Sequence, residues 1–186
     1  MAELCGYAKI WPVFIALNDV EGFSLWGEGD AGEDRFLADE GQQGAISVYV
    51  SLQGLAERIE SGQVKPFCDR DAFQQFRSAF RPALDELPGE ETVAEFDFVA
   101  AQSWISSGLA RDSSRAGAII DCLDASLDLA RQFGDDRIIS LLNEPTGPLR
   151  ELFDYLWGDR DEIFTPAAVS AFHDLLTWWQ AKIRRF

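Results

Sequence analysis

The chain has 186 residues, of which 47% are hydrophobic and 12% aromatic, enough to bury roughly 70% of its unfolded surface without a metal or disulfide staple. Its 32 acidic and 16 basic residues leave a net charge of -16. That balance disfavours direct binding to nucleic-acid phosphates or anionic membranes and permits a basic protein partner. One globular domain over 1–186 is the expectation at this length.

No stretch approaches the ~18 apolar residues needed to span a bilayer. The start, Met1-Ala2-Glu3-Leu4-Cys5, lacks the basic flank of a signal peptide, so a cytoplasmic location is expected. Cys5, Cys68 and Cys122 are odd in number and widely separated, which predicts buried free thiols and neither a disulfide framework nor a zinc site.

Residues Lys9 to Leu17 are rich in β-branched and aromatic types, and Glu21 to Trp26 follow an Asn18-Asp19 turn signal, a pattern that predicts a β-hairpin. Pro12 cannot donate to a ladder, so the first strand is expected at an edge or bulged. Gly27 to Gly44 suits an exposed loop around a short element at Phe36-Leu37. Ile46, Val48 and Val50 alternate with Ser47 and Tyr49 as a third strand. Ser51 then caps a helix that presents Leu52, Leu55, Ala56 and Ile59 on one face and stops at Gly62.

A second helix opens at Asp69 or Asp71, gathers Phe73, Phe76 and Phe80 on one face and is expected to end at Pro82. Glu91 to Val99 alternates like a strand, while Asp97 is also placed to cap a helix to Ser106; the helix is preferred. From Ser114, the residues Ala116, Ile120, Leu123, Leu127 and Ala130 predict a long helix ending at Phe133-Gly134. Shorter helices are expected at Ile138 to Leu142 and Leu149 to Trp157. Thr165-Pro166 opens the last one, with Val169, Phe172, Leu176, Trp179 and Ile183 inward and Lys182, Arg184 and Arg185 complementing its dipole. Strands first and helices afterwards define an α+β fold, a small N-terminal antiparallel sheet packed against a predominantly helical C-terminal half.

Gly27-Glu28-Gly29-Asp30-Ala31-Gly32 has the G-x-G-x-x-G spacing of dinucleotide sites, but Glu28, Asp30, Glu33 and Asp34 surround it with negative charge where a pyrophosphate needs a positive helix terminus. No cofactor is expected. Glu28, Asp30, Asp34, Asp39 and Glu40 could supply oxygens to calcium, yet their order does not match the twelve-residue calcium loop, so no metal site is assigned. His173, the single histidine, has no second ligand or nucleophile motif beside it and reads as packed or half-exposed. No catalytic residue is assigned.

Three features are more specific. Asp121, Asp124 and Asp128 lie three and four apart, away from the apolar stripe of their helix, and form a candidate acidic ridge for a basic partner. Arg70, Arg77 and Arg81 make a basic face, either a candidate anion site or a set paired to acids of the fold. Trp178 and Trp179 point about 100° apart on a helix. Only Trp179 belongs to the stripe, which leaves Trp178 either covered by another element or exposed as a partner anchor.

The segment Arg35 to Gly41 through Ile46 to Leu55 resembles a stretch in small acidic bacterial proteins, many of them actinobacterial, and is similar in outline to strand-then-helix units of some toxin-immunity proteins. The resemblance covers about a fifth of the chain and implies an α+β fold but no site residue. Two functions are weighed. The first is a non-enzymatic acidic interaction protein, immunity-like or inhibitor-like toward a basic protein. The alternative is a small-molecule-binding protein or enzyme whose site is assembled from dispersed residues, with Arg70, Arg77, Arg81 and His173 as anchors. Homodimerisation through the last helix is a further option, opposed by the charge.

Overall fold

The computed structural model describes residues 2–29, 32–38, 45–64, 70–85, 94–108, 113–159 and 165–186. The fold is α+β, with eight helices and two small sheets among these residues. Its contacts gather into two compact units: residues 1–15, 20–95 and 182–186 form the first, and 16–19 with 96–181 form the second.

The first unit begins with a helix the composition did not announce, α1 (Ala2–Ala8). The expected hairpin follows as β1 (Ile10–Ala16) and β2 (Glu21–Glu28), joined by residues 17–20. β2 continues into an antiparallel β3 (Asp34–Phe36), with Trp26 opposite Phe36 and Glu28 opposite Asp34. Phe36 and Leu37 are fully buried, so this part of the expected loop is core. Strand order is β3-β2-β1-β5, where β5 is Ala94–Asp97, so Pro12 lies on an interior strand and not at an edge. β5 has four residues against seven in β1, so its ladder spans only part of β1.

The third expected strand, β4 (Ile46–Val48), does not extend this sheet. It pairs in parallel with β6 (Ile183–Arg185), in register Ile46 to Ile183 and Val48 to Arg185. The alternation expected there is absent too, because Ile46, Ser47, Val48 and Tyr49 are all buried and only Val50 is exposed. A strand covered on both faces needs no polar side.

Ser51 caps α2 (Leu52–Glu60) as expected, its hydroxyl accepting from the Gly54 amide at 3.1 Å. Leu55, Ala56 and Ile59 form the inward face. Helix α3 (Arg70–Asp85) passes through Pro82 instead of ending there. Proline removes one helical donor and crowds the carbonyl four residues back, a loss of about 3 kcal/mol in an isolated helix, and here the helix persists because Phe73, Phe76 and Phe80 lock its preceding turns into the core. Phe76 and Phe80 stack at 4.9 Å, in one cluster with Phe23, Leu25, Leu55 and Ile59.

The second unit is helical. Both readings of residues 91–106 are realised in part: β5 ends at Asp97, whose carboxylate accepts from the Ala100 amide at 2.8 Å and caps α4 (Phe98–Ser106). Then come α5 (Ser113–Phe133), α6 (Asp136–Asn143), α7 (Pro148–Trp157) and α8 (Thr165–Lys182). Pro148 sits at the first position of α7, and Gly158, left-handed at φ 88°, ends it. The buried face of α5 is turned from the expected stripe: Ile119, Cys122 and Leu129 are fully covered and Ala116, Leu123 and Ala130 are buried beside them, whereas Ile120 and Leu127 are only half-buried, because α4, α6 and α7 all pack on this helix. The last helix stops one residue earlier than its apolar spacing implied. Ile183 to Arg185 belong to β6, so Arg184 and Arg185 lie beyond the helix end and not in its final turn.

Candidate functional site

The acidic ridge and an apolar groove meet on the second unit. Asp121 and Asp124 stand exposed on α5 between the buried Cys122, Leu123 and Ala125. Partial burial raises the carboxyl of Asp121 above the usual aspartate range. Burial also raises Asp124, reinforced by the charge of Asp121 and opposed by Arg131. Asp128 is different: its side chain is only 17% exposed and lies 3.9 Å from Arg131. The outward charge of the ridge is therefore concentrated on Asp121 and Asp124.

Asp124 also borders a small groove. Leu123 and Leu127 line it from α5, Leu142 and Asn143 from α6, and Leu149, Arg150 and Phe153 from α7. Arg150 is held at 2.7 Å by Asp154 and lies over the Phe153 ring at 5.3 Å, which fixes that lip. Phe153 in turn packs against Trp157, ring centres 6.1 Å apart, and Trp157 is 62% exposed. The sequence held a signal for this: Leu149, Leu152 and Leu156 occupy the inward face of α7, so Phe153 and Trp157, four apart, must share a flank.

Trp178 takes the covered alternative. It is 7% exposed, and its indole N–H donates to Asp135 at 2.8 Å. The cap of a neighbouring helix thus consumes the polar edge of this ring, and Trp178 offers no anchor on the surface. Trp179 is fully buried, donates to the Ser126 hydroxyl at 2.7 Å and packs on Phe98 at 4.8 Å.

Two arginines of α3 are engaged within the first unit. Arg77 donates to the Glu60 carbonyl at 2.7 Å, at the end of α2, and Arg81 lies 3.7 Å from the Glu60 carboxylate. The side chain of Arg70 lies outside the described residues. His173, in the second unit, is exposed, and its Nδ1 is 3.1 Å from the Gln102 amide nitrogen.

At the glycine motif, Gly27 and Glu28 belong to β2, which pairs antiparallel with β3, while Gly29 N–H donates to the Glu33 carbonyl and Gly32 N–H to the Gly29 carbonyl. A strand follows it where a dinucleotide site needs a helix. Gly27 has a packing reason of its own, since a Cβ there would meet the Lys9 carbonyl oxygen at 2.3 Å. Of the cation candidates, Glu28 and Asp34 face each other across the ladder and Lys9 pairs with Glu28; Asp30, Asp39 and Glu40 lie outside the described residues, as does Cys68. Burial and the Glu28 charge raise the Asp34 carboxyl. Cys5 and Cys122 are buried free thiols.

Fold and site together define an α+β protein whose helical unit carries an acid-lipped apolar groove. No protein-family model and no curated protein sequence matches the chain. Among solved structures it is similar to the C-terminal domain of SatS, determined in complex with bromine, at 18% identity and a TM-score of 0.74, covering 100% of this chain and 98% of that one. At that identity the likeness shows the fold alone. No described helix is long and apolar enough to cross a membrane.

Proposed function

We propose that the protein is a non-enzymatic interaction protein that presents the Asp121 and Asp124 face of α5 to a basic protein partner, as an inhibitor or immunity protein does. The observation that carries this is the double position of Asp124, at once on the exposed ridge and on the lip of an apolar groove. Interfaces combine a desolvated apolar centre with a charged rim, and the exposed Trp157, packed against the groove residue Phe153, supplies a large aromatic surface beside it. The net charge of -16 steers basic proteins toward the chain and repels nucleic acid, and it opposes a homodimer. The proposal places the protein in the cytoplasm.

Affinity capture from native lysate at low and high salt tests it, run with wild type, the pair Asp121→Asn/Asp124→Asn, and Glu57→Gln/Glu95→Gln, which changes net charge equally at sites outside the ridge. A salt-sensitive basic protein lost only by the first pair is the expected result. Recovery of a small molecule alone, or a partner retained equally by both pairs, sinks the reading.

A further inference from the structure

In the first unit, the register of β4 on β6 decides where the backbone groups of β6 point. Alternate residues of a parallel pair turn their N–H and carbonyl toward the partner strand. Phe186 N–H donates to the Val48 carbonyl at 2.9 Å and the Phe186 carbonyl accepts from Val50 N–H at 3.4 Å, so Arg184 and Phe186 face β4 and Arg185 faces away. The other edge of β4 is taken. Ser47 N–H donates to the Leu37 carbonyl at 3.1 Å, and Tyr49 exchanges bonds with Phe23 at 2.7 and 2.8 Å. Among the described residues β6 has no second strand beside it, so the Arg185 N–H and carbonyl are directed outward, where an added strand would bond them. A helix, with its backbone groups already bonded internally, cannot satisfy them.

The charge of this sheet is opposite to that of the chain. Its two strands hold no acidic side chain, no acid falls between Glu40 and Glu57 or within 175–186, and Arg184 and Arg185 are both exposed. Neither arginine forms an ion pair with a described carboxylate, whereas Arg35, Arg81, Arg131 and Arg150 each do. Consecutive residues of a strand point to opposite faces, so the edge carries one cation on each. Such an edge is complementary to an acidic strand and repels a second copy of itself.

Apolar surface lies at the same end. Of the four large apolar side chains exposed among the described residues, Val50 and Phe186 adjoin here. The Phe186 ring stacks on Tyr49 at 5.6 Å with the Arg58 guanidinium over it at 5.9 Å, which holds it in place.

We infer that the outer edge of β6 receives an extended acidic segment of another protein, added as a strand that bonds the Arg185 backbone, sets carboxylates beside Arg184 and Arg185 and rests an apolar side chain on Phe186. This surface belongs to the first unit and does not depend on the Asp121 and Asp124 face of the second.

The test uses the full chain and labelled peptides of about ten residues, the upper length of ordinary strands. The probe alternates valine and threonine around two adjacent glutamates; one control has the same side chains with its backbone nitrogens methylated, the other has lysines for the glutamates. Anisotropy at low salt should show the acidic peptide binding at least about tenfold tighter than either control, with Arg184→Gln/Arg185→Gln weakening it by about tenfold. Arg115→Gln/Arg137→Gln, an equal change of net charge at exposed arginines of the second unit, should leave it in place. Arg185→Pro removes the outward N–H and none of the bonds to β4, and should weaken binding by about threefold beyond Arg185→Gln. Melting curves confirm that the variants fold. In the wild-type chain, exchange of the Arg185 amide followed by NMR should slow when the acidic peptide is bound.

Failure of the acidic peptide to bind overturns the inference and leaves the arginines as guards against edge pairing. Equal binding of the methylated peptide, or an Arg185 amide that exchanges as fast with the peptide bound, overturns the added strand. Equal binding of the lysine peptide overturns the assigned charge, and equal losses in the two arginine pairs overturn the site. A dimer of the chain alone that Arg185→Pro dissolves puts a second copy on the edge and overturns the partner.

Discussion

The Asp135 carboxylate serves two helices at once. One oxygen accepts from the Ile138 amide at 3.3 Å and caps α6, while the other accepts from the Trp178 indole at 2.8 Å and ties down α8. Asp135→Ala should therefore cost more than a cap alone: about 1 kcal/mol for the cap and a further 1–3 kcal/mol for a covered indole N–H without its acceptor. Urea unfolding measures the loss, and a red shift of tryptophan emission reports the loosened ring.

Ser126 joins Trp179 to its own helix, accepting from the indole at 2.7 Å and donating to the Cys122 carbonyl at 2.6 Å, all three residues fully buried. Ser126→Ala should destabilise by about 1–3 kcal/mol because the indole is left unbonded. Combined with Trp179→Phe, the loss should be smaller than the sum of the single losses, since the phenyl ring has no donor to strand. A double-mutant cycle by urea unfolding decides it.

The ridge carboxylates give a pH dependence of definite sign. Both are raised in the fold, so their ionisation opposes folding once pH climbs through the folded value, and acidification from neutral pH relieves that opposition. Asp124→Asn should raise the melting temperature at pH 7 slightly, by about 1 °C for a few tenths of a kcal/mol at an exposed site. The gain should vanish below the unfolded aspartate range, near pH 3.9. Calorimetry across that range reads it.

Arg77 closes the end of α2 through the Glu60 carbonyl, beside Gly62 at φ 72°, where the guanidinium lies 3.3 Å from the position a Cβ would take. Arg77→Ala should cost about 1–2 kcal/mol from the lost charged hydrogen bond and packing. Gly62→Ala should cost a similar amount through its left-handed backbone. Thermal melting of each variant checks both.

Signals that act within a few residues were legible in the sequence. Ser51, Asp97, Pro148 and Gly158 begin or end their helices where local hydrogen bonding and φ preference demand it. The departures at Pro82 and Ile183 involve residues far apart in the chain. Pro82 stays helical because the phenylalanines of its own helix are held in a core with the remote Phe23 and Leu25, and Ile183 leaves its helix because Ile46 offers a ladder. The ridge could be read from spacing along one helix. The groove could not, since α5, α6 and α7 build it together, and neither could the loss of Trp178 to a cap on another element.

The pairing of β4 with β6 also sets an order of assembly. Residues 96–181 are an insertion within the first unit, whose final strand is translated only after every residue of the inserted unit has been made. Until Ile183 to Arg185 arrive, Ile46 to Val48 lack their parallel ladder. The apolar edge of β4 therefore needs shielding until the end of the chain is made.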